Sequence, residues 1–193
     1  DEAVVADDEA ADNEDADDED PEVDEWAALD ASRDWREDGP FDITEVDLDA
    51  DDIERLDFGC VVLTPFDGMQ MQLQVDQQSG LVQAVLVMHQ QSAIEIALFA
   101  APAQSSMAAE IRDQMAEATV NAQGTVTLAE GPFGTEIRRV MPIQDEAGQQ
   151  VDHVSRTWFA EGPKWALRGV LMGEAGMQLV LTGEGRLYLE VEH

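Results

Sequence analysis

Five basic side chains, Arg138, Arg139, Arg156, Lys164 and Arg168, fall within 31 residues of a chain that holds 10 bases against 43 acids. Arginine presents a planar fork of N–H donors that fits carboxylates and phosphates two bonds at a time. Such a set is either a group of solvated cations paired to nearby acids, each pair worth little, or an anion-recognition face. The target of that face would be the chain's own acidic segment, a partner carboxylate or a phosphate. Two Gly-Pro pairs, Gly131-Pro132 and Gly162-Pro163, each launch an apolar run studded with arginine. Both pairs read as turns, because Pro presets φ and Gly frees the backbone. The arginines are therefore expected on strands of a hairpin. Successive strand side chains point to opposite faces, so at most one of Arg138 and Arg139 can share a face with Arg156 and Arg168.

The other chemistry-bearing residues are weaker. Asp47, Asp49 and Asp51 open like a calcium loop, but Asp52 stands where the loop needs Gly and Phe58 where it needs Glu. Such a loop neither turns nor closes, so no metal site is expected. Cys60, His89, His153 and His193 are scattered, whereas transition metals need clustered ligands. Cys60 lies in an apolar run and reads as a core thiol. Asp152-His153-Val154-Ser155 contains triad letters, but triads are assembled in space and not along one strand. Neither a dinucleotide fingerprint nor a phosphate-cradling Gly-Lys-Ser/Thr loop occurs. No cofactor is implied. Most of the eight methionines alternate on strand faces or sit in a helical stripe, and so read as core.

Charge divides the chain in two. Residues 1–57 carry 27 acids and 3 bases, and residues 58–193 carry 16 acids and 7 bases. A net charge of −33 repels phosphate backbones and anionic bilayers, which disfavours nucleic acid and membrane surfaces as partners. No apolar run is long enough to span a bilayer. Residues 1–25 are low-complexity and acidic, and disorder is expected there. A short helix is expected over 26–38, where Trp26, Leu29 and Arg33 fall at helical spacing. Trp26, Leu29 and Trp35 amid acids read either as a docking motif for a partner or as side chains tucked against the chain's own globule.

The elements that must carry the arginines follow. Phe58 to Leu63 reads as a short strand. Met69, Met71, Leu73 and Val75 alternate with glutamines, which predicts a strand with one wet face. Leu81 to Met88 and Ser92 to Phe99 are apolar strands linked by short turns, hence antiparallel. A helix is expected over 105–122, with Met107, Ile111, Met115 and Ala118 as its buried stripe. Thr125 to Leu128, Thr135 to Ile143, Val151 to Phe159 and Lys164 to Met172 are further strands, and Met177 to Leu181 and Leu187 to Val191 two more. Within the last pair of arginine strands, Trp165 and Leu167 are expected inside and Arg168 outside. The sum is an α+β domain over 58–193, an antiparallel sheet of six to eight strands with one amphipathic helix on a face. A largely disordered acidic arm, 1–57, precedes it.

From Gly39 to Gly173 the chain resembles an actinobacterial family known only as domain of unknown function 3710. The resemblance rests on Gly39-Pro40-Phe41-Asp42, Arg55-Leu56-Asp57-Phe58-Gly59, Gly68-Met69 and Phe99-Ala100-Ala101-Pro102. It continues through Gly131-Pro132-Phe133-Gly134-Thr135-Glu136, Gly162-Pro163-Lys164-Trp165 and Leu167-Arg168-Gly169-Val170. It implies a cytoplasmic protein and carries no activity with it. A single cysteine agrees with a reducing compartment.

These residues point first to a non-enzymatic protein-binding or adaptor domain with an acidic docking arm. The alternative is a domain that binds a small anion, a nucleotide or phosphate, through the arginine-bearing hairpin. An enzyme using carboxylates such as Glu95 or Glu136 is a third reading. The opposed charges further predict that the acidic segment from Asp24 to Asp57 folds back over the hairpin that bears Arg156 and Arg168.

Overall fold

A computed structural model describes residues 24–101 and 107–177. The expected disorder of 1–25 falls almost entirely outside those residues, as do the strands expected beyond Met177.

The centre is one seven-stranded sheet, antiparallel at every neighbouring pair. Its strands are β3 (Gln70–Val75), β4 (Val82–His89), β5 (Ser92–Ala100), β6 (Thr125–Gly131), β7 (Gly134–Gln144), β8 (Gln150–Glu161) and β9 (Trp165–Gly173). They lie in the order β3-β4-β5-β9-β8-β7-β6. Two meanders therefore meet at β5 and β9. Helix α2 (Met107–Asn121) carries the chain from β5 to the opposite edge, where the second meander starts. Short turns force the antiparallel hairpins, and only a crossover segment lets the chain leap four strands.

The Phe58–Leu63 run is not one strand. Gly59 turns at φ 84°, and β1 (Leu56–Asp57) pairs with β2 (Val62–Leu63) in a two-stranded ribbon. Cys60 sits at its tip and is exposed, so the expectation of a core thiol is overturned. The strand at 70–75 is also wetter than its alternation predicts. Leu73 and Val75 are exposed on the face expected to be dry, because β3 is an edge strand with nothing packed over its end.

Helix α2 packs on the β6–β8 half of one sheet face. Its buried residues are Ala108, Arg112 and Thr119, with Ile111 and Met115 half-buried and Ala118 exposed. The stripe is rotated from the expected one, and an arginine stands at its centre. Helix α1 (Glu25–Asp30) is shorter than the 26–38 span, with Asp24 accepting from the Trp26 and Ala27 amides as its N-cap. Turns follow it to residue 38. A short helix, α3 (Glu174–Met177), closes on β9 and β8.

The deepest part of the core is the middle of β8. Ser155 to Ala160 are buried without a break, so both sheet faces are covered there. On β9, Ala166, Val170 and Leu171 are buried, whereas Trp165, Leu167 and Arg168 are only half-buried. The strict in–out alternation expected for β9 fails because both of its faces are packed.

Candidate anion-binding face

The arm does lie against the hairpin, but through other residues than the arginines predicted to hold it. Asp30, at the end of α1, accepts the Thr135 backbone N–H at 2.7 Å through Oδ1 and pairs with Arg112 Nη2 at 3.0 Å through Oδ2. Arg112 in turn donates to the Thr135 carbonyl at 3.3 Å. One carboxylate thus joins α1, α2 and β7. Gly134 permits this approach. It sits at φ 94°, and a Cβ there would lie 2.6 Å from Asp30 Oδ1. A second clasp lies further along the arm. Asp42 accepts the Trp165 indole N–H at 2.8 Å, while Arg36 grips Glu45 with two bonds and sits 5.3 Å from the Trp165 ring centre. The Thr44 hydroxyl and amide, with the Trp165 indole, hold the Asp42 carboxyl below the usual aspartate range. The bidentate Arg36 contact does the same for Glu45.

Trp26, Leu29 and Trp35 are all half-buried. The Trp35 indole donates to the Asp30 carbonyl at 3.1 Å, Arg33 stacks 3.9 Å over its ring, and the Trp26 carbonyl accepts from the Thr135 hydroxyl at 3.3 Å. Asp47 accepts the Asp49 amide, and Asp51 pairs with Arg55 at 2.7 Å.

Strand register divides the five basic residues. Arg138 on β7 stands opposite Arg156 on β8, and Arg156 stands opposite Leu171 on β9, so these two arginines share the face away from α2. Glu136 lies between them with no exposure. Arg156 donates to it from Nε and Nη2, each at 2.9 Å, and Arg138 from Nε at 2.6 Å. A buried carboxylate needs such donors, because desolvation otherwise penalises its charge. Lys164 is exposed in the turn between β8 and β9.

Arg139 and Arg168 stand on the α2 face. Arg139 is opposite Ser155 and Arg168 opposite Phe159, which leaves Thr157 between them on β8. Arg168 pairs with Glu95 at 2.9 Å through Nη2 and lies 5.5 Å from the Phe99 ring centre. Its Nε is buried without a partner. So are Arg139 Nε and the Thr157 hydroxyl, and among the described residues these are the only buried side-chain polar atoms of that kind. Arg139 has no carboxylate within ion-pair distance among the described residues. Burial, and secondarily the charge of Arg168, pull its pKa below the usual arginine value. Two guanidinium groups and a hydroxyl therefore offer N–H and O–H donors on one face with too few acceptors to receive them.

Sequence reasoning named Arg139 and Arg168 but grouped them with the wrong companions. It missed Thr157 and Arg112 altogether. A Thr inside an apolar strand carries no signal of its own, and Arg112 lies outside the Met107, Ile111, Met115 and Ala118 stripe that the apolar spacing picks out. Ser155 and His153 do lie on one face of β8, as strand parity requires.

The fold is thus an α+β domain built on a seven-stranded antiparallel sheet, with residues of the acidic N-terminal segment hydrogen-bonded to it and Arg139 and Arg168 on the sheet face against which α2 packs. The family model for a protein of unknown function, DUF3710, matches residues 39–188, and the chain belongs to that family. No curated protein and no solved structure matches it. No helix among the described residues is long and apolar enough to cross a membrane.

Proposed function

We propose that this domain binds a small oxyanion, a phosphate or the phosphate of a nucleotide, with Arg139, Arg168 and Thr157. The observation that carries the proposal is the coincidence of three unpartnered buried donors on one face, two of them cationic. Buried polar groups in folded proteins find partners as a rule, in the protein, in ordered water or in a bound ion. Arg139 has no ion-pair partner among the described residues and feels the charge of Arg168 on the same face, so a bound dianion would relieve a repulsion that the unliganded domain sustains. Arg138 and Arg156 take no part, because they stand on the opposite sheet face and are already paired with Glu136. The binding is non-enzymatic, needs no cofactor and takes place in the cytoplasm.

The test is thermal stability in a buffer free of polyvalent anions, against a panel of inorganic phosphate, sulfate, nucleoside mono- and diphosphates and chloride at matched ionic strength. Phosphate-bearing ligands raise the midpoint, since a ligand of the native state alone stabilises it by mass action. Arg139→Gln abolishes the rise. Equal midpoints across the panel would refute the proposal.

A protein-binding role for the acidic arm is favoured by a separate observation. Phe41, Ile43 and Ile53 are 51–61% exposed amid the acids. Apolar side chains presented on an anionic segment suit a partner with a basic, apolar-floored groove. Pull-down with and without residues 1–57 tests that role.

A further inference from the structure

We propose that the free edge of β3 is a strand-addition surface for a second copy of this chain, which joins two sheets into one across a two-fold axis. This inference is independent of the anion site. An edge strand presents a row of unsatisfied backbone N–H and C=O groups, and proteins usually blunt such edges with charge, Pro or a covering element. The β6 edge is treated in that way: it carries Glu130 and lies beside α2. The β3 edge is not. Gln70 to Val75 contains no charge and no Pro, and nothing among the described residues pairs with its outer side. Leu73, Val75 and the neighbouring Leu81 are exposed at 44%, 47% and 67%.

Charge selects the place. In a chain of net −33, the residues from Gly68 to Ile94 hold one acid, Asp76, and neither Lys nor Arg. Elsewhere two copies would bring like charges together. At this corner they meet uncharged strand. The strand is also complementary to itself. A two-fold axis perpendicular to the sheet reverses the strand and keeps the faces aligned, so that Gln70, Gln72 and Gln74 oppose their own counterparts. Each glutamine amide both donates and accepts, so the pairs are satisfied without a second residue type. On the other face Met71, Leu73 and Val75 oppose apolar side chains, the favourable cross-strand pairing. A six-residue strand gives an interface at or below the size of stable complexes, so the dimer is weak and forms at micromolar or higher concentration. The charge on the rest of the surface opposes it, so salt strengthens it.

Sedimentation velocity of the full chain tests this at about 10–300 µM, in dilute buffer and in roughly 0.5 M salt, where screening is nearly complete within a few Å. The expected result is a monomer–dimer equilibrium that tightens as salt rises. Leu73→Lys and, separately, Gln72→Lys weaken it roughly tenfold or more, since Gln72→Lys puts like charges across the axis and Leu73→Lys sets a charge against the apolar face of the second copy, and both leave the melting midpoint of the monomer unchanged. Two exposed positions on opposite faces guard against one variant failing to fold. A monomer at every concentration and salt overturns the proposal. So does a dimer that both variants leave intact, which would place the contact on another surface.

Discussion

Arg156 embraces Glu136 with two parallel bonds, Nε to Oε1 and Nη2 to Oε2, in a part of the sheet where the glutamate has no exposure at all. Arg138 adds a third donor. Removing one member leaves the others buried and uncompensated. Glu136→Gln is therefore expected to cost about 3–5 kcal/mol in urea unfolding. A loss under about 1 kcal/mol would show that the pair is hydrated in solution.

Arg139 should behave in the opposite way. Among the described residues it has no ion-pair partner to lose, and it feels the charge of Arg168. Arg139→Gln is expected to leave stability unchanged or raised in an anion-free buffer, within about 1 kcal/mol of the parent. Arg156→Gln, by contrast, should cost several kcal/mol because Glu136 is then left buried and short of donors. Equal destabilisation by the two variants would mean that Arg139 has a partner of its own.

Asp30 ties the arm to the sheet, and its loss should be read at Thr135. In Asp30→Ala the Thr135 amide loses its acceptor and Arg112 its counter-ion. The expected cost is about 2 kcal/mol, the scale of hydrogen bonds to a charged group. Amide exchange at Thr135 should quicken with it. Gly134→Ala should reproduce the effect through the steric route, since φ 94° and the Asp30 contact both exclude a Cβ. Unchanged exchange at Thr135 in both variants would detach the arm from the sheet.

The second clasp makes a prediction in pH. The Asp42 carboxyl is held below the ordinary 3.8 of aspartate by Thr44 and Trp165. Its contribution is complete above that value and is lost as pH falls through the lower, folded pKa. The Trp165 indole N–H resonance should therefore titrate with a midpoint below 3.8. Asp42→Asn should remove that titration. A midpoint above 3.8 would contradict the contact.

Much of the sheet was legible because period-two alternation and Gly-Pro or Asp-Gly turns are local signals. The hairpin from Gly131 to Gly173 is where those signals placed it, and opposite faces for Arg138 and Arg139 follow from strand parity alone. What failed depended on distant contacts. Cys60 left the core because Gly59 turns the chain, a choice no apolar count reveals. Arg112 entered the core because Asp30, 82 residues away, waits for it there. The acid for Arg156 is Glu136, 20 residues away on the neighbouring strand, and not the arm. Attraction between arm and hairpin was inferred from net charge. The contacts that form are a backbone amide, an indole and a helix arginine, each of which fixes a position that diffuse charge cannot.

In the proposed site Arg139 and Arg168, with Thr157, receive an oxyanion while Arg138 and Arg156 do not. This is tested most directly by following the arginine Nε–Hε resonances during titration with inorganic phosphate at constant ionic strength. The side-chain signals of Arg139 and Arg168 should move together and saturate, as their unpartnered Nε groups gain an acceptor. Those of Arg138 and Arg156, already bound to Glu136, should stay in place. Movement of all four in parallel without saturation, or of none, would contradict the account.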